Sequence, residues 1–305
     1  MLRILVLNLY ALISVNAYAD FETIETQLIN HESKYTDIVK NTEKHIRWYQ
    51  GKKQKTELAI VYIHGFSATR QELTPTTERL ADLIGANVFY TRLKGHGRSE
   101  DAMAEASVED WKRDATEAYN IGSTIGKRVI LVSASTGGTL ATWLVAQPTT
   151  KNVAANILMS PNFGVRNRVA SILLWPGGIT LAKWINDDYR GFTPRSEQQA
   201  LYWTERYPIE AVVPMLNLVN EVQDIDKSVI TVPHMFIYSP RDHVVSVEKI
   251  EDTIAEFKPS NPSVIKFESS LDPAQHILSG DICSPNSTDQ VIELMETFLT
   301  ELDLI

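Results

Sequence analysis

The sequence of 305 residues has a single cysteine, Cys283, which has no second cysteine in the chain with which to form a disulfide. A zinc site that needs two or more cysteine ligands is excluded for the same reason. Basic residues are also scarce, since 29 Lys and Arg stand against 38 Asp and Glu and give a formal charge of −9. This balance does not suit the neutralisation of a phosphate backbone or docking on anionic lipid, so we expect no nucleic-acid partner.

Long apolar runs are missing after the first twenty residues, so no transmembrane helix is expected in the rest of the sequence. The apolar run at residues 4–15 follows Arg3 and precedes an Ala-x-Ala pattern at residues 17–19. This pattern is typical of a cleaved secretory signal peptide, whereas a buried first helix or strand is the alternative interpretation. We therefore expect residues 1–19 to be a signal peptide, the protein to be periplasmic or extracellular, and no stable membrane span to remain. Cleavage would remove Arg3 and no acidic residue, which lowers the formal charge from −9 to −10.

The remaining composition, 44% hydrophobic and 22% charged, is ordinary for a globular protein. Short apolar runs alternate with longer amphipathic stretches, which predicts a mostly parallel sheet with helices on both faces. Ser107, with Asp110 three residues later, predicts a capped start of one helix. The predicted strands are 58–63, 87–91, 128–133, 156–159, 235–238 and 264–267, and the predicted helices are 71–84, 107–125, 137–146, 247–257 and 287–302.

One long segment interrupts this alternation. Residues 162–229 have no strong strand pattern but carry many aromatic residues and several prolines. The length of the segment favours a helical cap, inserted between two late strands, over ordinary connecting helices. The expected organisation is a signal peptide at 1–19, a single α/β domain at 20–305, and the helical cap at 162–229 within that domain.

A serine lies on a sharp turn between a predicted strand and the helix that follows it. The segment Ser133–Gly137 reads Ser-Ala-Ser-Thr-Gly, with small residues two before and two after Ser135. Such a turn needs small residues there, because larger side chains would collide with the neighbouring strand and helix, and it presents the hydroxyl at the positive end of the helix. Ser133 stands where this turn usually has glycine, and it still lies in the predicted strand, so we assign the nucleophile to Ser135. A helix start without chemistry is the alternative for this segment alone.

A serine nucleophile requires a histidine base and usually a carboxylate that orients this base. Of the seven histidines, His276 lies in a loop beyond the last predicted strand, and Asp242 follows the strand at 235–238. Both lie at the carboxyl ends of strands, where an open α/β sheet gathers its active-site loops. Taken singly, Asp242 could be a turn residue and His276 a surface residue. Their joint occurrence with Ser135 in this order favours a catalytic triad.

Two backbone N–H groups are expected to stabilise the oxyanion of the transition state. One belongs to Thr136, immediately after the nucleophile, and the other to Phe66 in the turn that follows the first predicted strand. Gly65 in that turn lets the backbone pass close to the substrate. His64 is expected to brace the turn rather than to act as a base.

Five features occur together in the sequence. They are residues 63–66 (Ile-His-Gly-Phe), 93–99 (Leu-Lys-Gly-His-Gly-Arg-Ser), 133–137 (Ser-Ala-Ser-Thr-Gly), 239–245 (Ser-Pro-Arg-Asp-His-Val-Val) and the late His276. This combination resembles the α/β-hydrolase superfamily, most closely its monoacylglycerol lipase, lysophospholipase and carboxylesterase-like branch. The resemblance covers about residues 55–300 and implies the same triad, the same oxyanion donors and no metal or organic cofactor. It leaves the loop at 95–97 as a structural element of the site entrance.

The sequence thus predicts a serine hydrolase that cleaves carboxylic esters through an acyl-enzyme on Ser135. The expected partner is a small ester, and lipid-derived and short-chain esters are both left open. Met215, Leu216 and Val219 are candidates for an acyl-chain pocket, although a packed core beneath the cap explains them equally well. The oligomeric state is not predicted.

Two other functions remain open from the sequence. A serine aminopeptidase or amidase of the same fold would need an acidic residue in the cap to hold a substrate amine, and Glu197, Glu205 or Glu210 could provide it. A non-catalytic binding protein that keeps the fold is supported by Ser133 alone.

Overall fold

The structure is a computed structural model, and it describes residues 21–185, 187–257 and 261–305. The predicted signal peptide at residues 1–19 lies outside the described residues, so cleavage and export stay predictions. In the described part of the chain, no helix combines the length and the apolar character needed to cross a bilayer.

A seven-stranded, mostly parallel sheet forms the centre of the molecule. In chain order the strands are β1 (His45–Arg47), β2 (Thr56–Ile63), β3 (Asn87–Tyr90), β4 (Gly126–Ala134), β5 (Val153–Met159), β6 (Tyr189–Gly191), β7 (Arg206–Pro208), β8 (His234–Tyr238) and β9 (Ser263–Lys266). The central sheet has the order β1-β3-β2-β4-β5-β8-β9, and within it only β1 pairs antiparallel. The predicted mostly parallel sheet is confirmed. The predictions missed β1, β6 and β7, whose three residues each are too few to show an alternating pattern.

Four of the five predicted helices begin and end within one residue of their predicted bounds, and the fifth, at 71–84, is shorter than predicted. They are α1 (Phe21–Glu32), α2 (Thr76–Ile84), α3 (Val108–Ile125), α4 (Thr136–Val145), α5 (Gly178–Ile185), α6 (Glu197–Tyr202), α7 (Val212–Gln223), α8 (Val247–Glu256) and α9 (Thr288–Glu301). Ser107 and Asp110 cap α3 reciprocally through side chain and backbone, as predicted. The stretch predicted as one helix at 71–84 is instead a short 3-10 turn at Arg70–Leu73 followed by α2. Pro75 separates the two, because proline has no N–H to donate inside a helix and its ring collides with the preceding turn.

Helices cover both faces of the sheet. Alternate side chains of β2 enter two separate apolar cores: Val61 and Ile63 pack on the side of α3 and α4, and Ile60 and Tyr62 on the side of α2 and α9. Because both faces are buried, β2 has a near-continuous apolar sequence rather than an alternating one. This arrangement leaves the carboxyl ends of the parallel strands free to carry functional loops.

The segment between β5 and β8 contains α5, α6 and α7 together with a two-stranded antiparallel sheet of β6 and β7. This small sheet packs beside the 3-10 segment at 100–105, where Arg206 forms an ion pair with Glu100 and the hydroxyl of Tyr189 donates to Asp101. The sequence had predicted a helical segment, but the structure shows a small sheet in it beside the helices. Its separation from the rest of the domain as a cap with the limits 162–229 stays a prediction.

Candidate active site

Ser135 lies on a strained turn between β4 and α4. Its backbone has φ 51° and ψ −119°, a conformation that residues other than glycine rarely adopt. Two backbone hydrogen bonds stabilise this strained conformation. The N–H of Ser135 donates to the carbonyl of Met159 at 2.9 Å, and the carbonyl of Ser135 accepts from the N–H of Asn162 at 3.0 Å. The side chain consequently stands out from the sheet at the amino-terminal end of α4.

The residues two positions to either side of Ser135 explain how the turn forms. A Cβ atom at Gly137 would lie 2.1 Å from the carbonyl oxygen of Ile63, so the turn has no room for any side chain there. Ser133 is fully buried, and its hydroxyl donates to the carbonyl of Ile157 in β5 at 3.2 Å. The departure from glycine at position 133 is therefore accommodated by a hydrogen bond to the neighbouring strand.

His276 and Asp242 meet although they lie in different loops. The imidazole Nδ1 of His276, beyond β9, lies 2.7 Å from Oδ2 of Asp242, which follows β8. The other carboxylate oxygen, Oδ1, accepts the backbone N–H groups of Val244 at 2.7 Å and Val245 at 3.0 Å. The carboxylate is completely buried, whereas the adjacent His243 is exposed and plays no part in the pair.

This geometry determines which nitrogen of His276 carries the proton. An ionised carboxylate only accepts hydrogen bonds, so Nδ1 is the donor to Asp242 and Nε2 is left with its lone pair. Burial by itself lowers the pKa of His276, but the charge and hydrogen bond of Asp242 outweigh it, with added contributions from Glu72 and Asp272. The pKa of His276 is consequently raised above its ordinary value, as suits a general base.

Ser135 and His276 line one cavity of about 510 Å³, which Phe66 and Thr136 also line. Within the described residues, the backbone N–H groups of Phe66 and Thr136 have no hydrogen-bond acceptor in the protein. Two N–H groups that are free beside a nucleophilic hydroxyl are what an oxyanion hole requires. The structure thus brings together the five residues that the sequence singled out, with Asp242 behind His276.

The walls of this cavity are largely apolar. Aromatic side chains line it from the turn after β2 and from the segment between β5 and β8, and the rings of Phe66 and Tyr207 contact each other edge to face at 5.1 Å. The other apolar and aromatic residues of the lining are Val165, Ala170, Phe192, Trp203, Val212, Met215, Val244, Val245, Ala274 and Ile277.

Of the three residues that the sequence suggested for an acyl-chain pocket, Met215 lines this cavity. Leu216 and Val219 do not line it and are buried in the core. Leu216 is rotated by about 100° around α7 from Met215, and Val219 lies one turn further along the helix. Of the two interpretations that the sequence left open, the packed core therefore fits Leu216 and Val219, and only Met215 is in a position to contact an acyl chain.

The acidic residues suggested for holding a substrate amine lie elsewhere. Glu197 and Glu205 are exposed, and Glu210 forms an ion pair with Lys183. None of the three lines the cavity that contains Ser135.

Two carboxylates in the cavity, Glu72 and Asp272, were not predicted from the sequence as site residues. Asp272 shapes the loop of His276, because its carboxylate accepts the backbone N–H of His276 and of Ile277, each at 3.0 Å. Burial alone would raise the pKa of Asp272, but these backbone donors and an ion pair with Arg195 lower it. An Asp directly before a proline, here Asp272 before Pro273, is typical of the start of a turn, and this signal could have identified it.

His64 braces the turn of residues 64–66 (the oxyanion turn), as predicted. Its Nδ1 donates to the carbonyl of Gly65 at 2.9 Å, and its Nε2 accepts the N–H of Leu93 at 3.1 Å. Burial lowers the pKa of His64 to about 4, so the imidazole is neutral at pH 7. A neutral ring has one donor and one acceptor nitrogen, which is what these two hydrogen bonds require. His96, from the loop at 95–97, packs against it with the ring centroids 5.0 Å apart, which agrees with a structural role for that loop.

Among the residues that the structure describes, no three His, Cys, Asp or Glu side chains are grouped so as to hold a metal ion. The expectation of a reaction without metal or organic cofactor stays a prediction.

Comparisons with known proteins agree with this fold. Residues 54–268 match the Hydrolase_4 family, described as serine aminopeptidase, S33; the matched range includes Ser135 and Asp242 and ends before His276. The thermostable monoacylglycerol lipase of Bacillus sp. (strain H-257) is 20% identical over 237 residues, which are 77% of this chain and 89% of that protein.

Solved structures give the same result. One of two metagenome-derived lipolytic enzymes, LipS and LipT, superposes with a TM-score of 0.68 at 18% identity, over 87% of this chain and 99% of that one. The monoacylglycerol lipase of Paleococcus ferrophilus superposes with a TM-score of 0.62 at 13% identity, over 85% of this chain and 99% of that one. At these identities the structural likeness establishes the α/β-hydrolase fold.

Proposed function

The chain belongs to the α/β-hydrolase family described as serine aminopeptidase, S33, and we propose that it is a serine hydrolase that cleaves carboxylic esters. The observation that carries the proposal is the 2.7 Å contact between His276 Nδ1 and Asp242 Oδ2 beside a cavity that Ser135 lines from a strained turn. A serine held in this conformation costs stability, and such strain persists chiefly where function requires it.

In the proposed reaction, the hydroxyl oxygen of Ser135 attacks the acyl carbon while Nε2 of His276 takes its proton. Asp242 stabilises the resulting imidazolium and holds the ring in the required orientation. The N–H groups of Phe66 and Thr136 bind the oxyanion, a contribution of about 3 kcal/mol for each such donor. The imidazolium then gives its proton to the leaving alcohol, and water repeats the sequence on the acyl-enzyme.

The cavity supports an ester with an apolar acyl group as the substrate. Its walls are mostly aromatic and aliphatic, and Met215 extends them along α7. The relatives named monoacylglycerol lipases favour a lipid-derived ester for this chain as well. We therefore propose a small, lipid-derived ester as the substrate class.

The alternative within the family is a serine aminopeptidase, and the support for it is the description of the family as serine aminopeptidase, S33. Against it stands the position of Glu197, Glu205 and Glu210 outside the cavity. The two carboxylates that do line the cavity already have partners, since Glu72 accepts from Gly65 and Tyr62, and Asp272 forms an ion pair with Arg195. A peptide amine needs a carboxylate that is available to bind it. Turnover of p-nitrophenyl acyl esters and of aminoacyl p-nitroanilides, measured side by side, separates the two. A preference for the anilides would reject the esterase proposal.

A fluorophosphonate probe tests whether the chain is an enzyme at all, because it reacts covalently with an activated serine. We expect the wild-type protein to be labelled and Ser135→Ala not to be. Ser133→Ala is the matched control, since it removes a hydroxyl two residues away, and it should still be labelled. Absence of labelling in the folded wild-type protein would favour a non-catalytic binding protein. Ser133 itself does not support that alternative, because its hydrogen bond to β5 accommodates it in the turn.

We also propose that the protein is exported to the periplasm or beyond the cell, and the support is the sequence pattern of residues 1–19 alone. Amino-terminal sequencing of the protein recovered from the host would test it. A chain that keeps Arg3 after secretion, or that stays inside the cell, would contradict the proposal.

A further inference from the structure

Glu72 is a buried carboxylate in the active-site cavity that the proposed reaction does not use. It belongs to the 3-10 turn at Arg70–Leu73, only 3% of the residue is exposed, and it lines the same cavity as Ser135 and His276. Carboxylates are rarely buried to this degree without specific partners, because removing one from water is costly. The partners of Glu72 therefore indicate what it does.

The first partner is the oxyanion turn. Oε2 of Glu72 accepts the backbone N–H of Gly65 at 2.8 Å, directly before Phe66. The same oxygen accepts the hydroxyl of Tyr62 in β2, also at 2.8 Å. These two bonds tie the residue that precedes the oxyanion donor to a side chain anchored in the core.

The second relationship is the close approach to the nucleophile. A Cβ atom built on Gly65 would lie 3.0 Å from Oε1 of Glu72 and 3.1 Å from the Cβ of Ser135. The carboxylate of Glu72 and the side chain of Ser135 thus both lie close to the same glycine. A side chain at position 65 would push them apart, which explains why glycine is needed there.

The third relationship is electrostatic. The charge of Glu72 favours the protonated form of His276, in addition to the charge of Asp242. Burial raises the pKa of Glu72 above its ordinary value, and its bonds from Gly65 and Tyr62 and the nearby His276 reduce this shift without reversing it. The titratable groups that face Glu72 are Tyr62, His276 and Cys283, and those that face His276 are Asp242, Glu72 and Asp272.

We propose that Glu72 is a positioning residue for the ester hydrolysis proposed above. It holds the backbone at Gly65 so that the N–H of Phe66 faces the oxyanion, and its carboxylate stabilises the imidazolium of His276 together with Asp242. The inference rests on the proposed function, since both effects matter only if Ser135 and His276 react.

The test compares Glu72→Gln with wild type, because Gln keeps the shape and one acceptor but removes the charge. We expect kcat for a p-nitrophenyl ester to fall about tenfold with KM changed less than about threefold, since the loss arises in the transition state. Without the negative charge the imidazole is easier to deprotonate, so the acid limb of kcat/KM should move down by about half a pH unit. A merely structural residue would not move this limb.

Two further variants complete the test. Glu78→Gln removes an equal charge on α2 outside the cavity, and it should keep the wild-type kcat and acid limb. Glu72→Asp keeps the charge but draws the carboxylate away from Gly65, so kcat should fall while the acid limb stays in place. Circular dichroism and thermal unfolding verify that each variant is folded, and Glu72→Asp carries the test if Glu72→Gln does not fold.

The proposal would be overturned if Glu72→Gln had the wild-type kcat, or if its kcat fell while its acid limb stayed in place. A wild-type kcat in Glu72→Asp would overturn it as well. These outcomes leave the proposed function intact as long as the wild-type protein hydrolyses esters and reacts with fluorophosphonate at Ser135. Failure of the wild-type protein in those two assays would instead reject the proposed function itself.

Discussion

Asp242 points one carboxylate oxygen at Nδ1 of His276, 2.7 Å away, and the other at two backbone N–H groups of its own loop. The two N–H groups fix the rotation of the carboxylate, so the oxygen that faces His276 cannot be exchanged for the other. His276 is itself held at its backbone, where its N–H donates to Asp272. The orientation of the imidazole is thus determined from both sides before any substrate binds.

Asp242→Asn should abolish most of the activity without unfolding the protein. The amide oxygen would remain with the N–H groups of Val244 and Val245, which forces the NH₂ group towards His276. The imidazole must then accept at Nδ1 and carry its proton on Nε2, so it can no longer act as a base. We expect kcat to fall about a thousandfold to ten-thousandfold, measured with a p-nitrophenyl ester. His243→Ala, at the exposed neighbour, should keep the wild-type kcat, and an active Asp242→Asn would exclude this role for Asp242.

The acid limb of the reaction should lie above the pH at which an unperturbed imidazole titrates. The pKa of His276 is raised from its ordinary value of 6.5, because the effect of Asp242 exceeds that of burial. Since the base must be neutral to take a proton, activity is present above this raised pKa and is lost as the pH falls through it. The pH profile of kcat/KM with a non-ionising ester measures the limb. A midpoint clearly below 6.5 would contradict this expectation.

Acid should destabilise the fold through His234, a histidine outside the candidate active site. Burial lowers the pKa of His234, which opens β8, from 6.5 to about 4. Between these two pH values the unfolded chain binds a proton that the folded chain does not, so the free energy of unfolding falls as the pH drops from about 6.5 towards 4. The loss for this residue is on the order of 3 kcal/mol.

Urea unfolding at a series of pH values tests this in His234→Gln. The variant should lose stability less steeply with falling pH, by about 1.4 kcal/mol for each pH unit in this window. His243→Gln, at an exposed position, serves as the control and should follow the wild-type dependence. Identical pH dependences for wild type and His234→Gln would show that His234 titrates normally in the folded protein.

The residues at strand ends could be predicted from the sequence because two local signals coincide there. Ser135, Asp242 and His276 each follow a short apolar run, and each is a residue type that catalysis needs. Parallel strands bring their carboxyl ends to one edge of the sheet, so the fold itself supplies the proximity. The proposed triad could therefore be assigned without knowledge of side-chain contacts.

Glu72 could not be predicted in the same way. It lies in a short turn after β2, and nothing in the neighbouring sequence indicates that the turn folds back onto Gly65. The position of Leu216 and Val219 was equally open, because an apolar helix can turn any of several sides towards a cavity. Such features depend on tertiary contacts between distant segments, for which local periodicity has no signal.

Gly137→Ala should damage both stability and reactivity. The added methyl group would lie 2.1 Å from the carbonyl oxygen of Ile63 and 2.7 Å from that of His64, so the backbone before the oxyanion turn must move. We expect a loss of about 3 kcal/mol in the free energy of unfolding, as is usual for overpacking, and strongly reduced fluorophosphonate labelling. Ser133→Ala is the matched control and should cost about 1 kcal/mol for its lost hydrogen bond while labelling continues. Labelling of Gly137→Ala at the wild-type rate would contradict the packing argument.

Met215→Trp should change which esters are accepted rather than whether esters are cleaved. Met215 lines the cavity from α7, so a larger side chain there would shorten the space for an acyl chain. Each methylene that no longer enters costs about 0.8 kcal/mol, which is roughly a fourfold loss of kcat/KM. In a series of p-nitrophenyl esters of increasing chain length, the variant should match wild type on acetate and fall progressively behind on longer chains. Leu216→Met alters the adjacent core residue at nearly constant volume and should keep the wild-type chain-length profile, because Leu216 does not line the cavity. If Met215→Trp lost the same factor on every ester, the acyl group would have to bind elsewhere in the cavity.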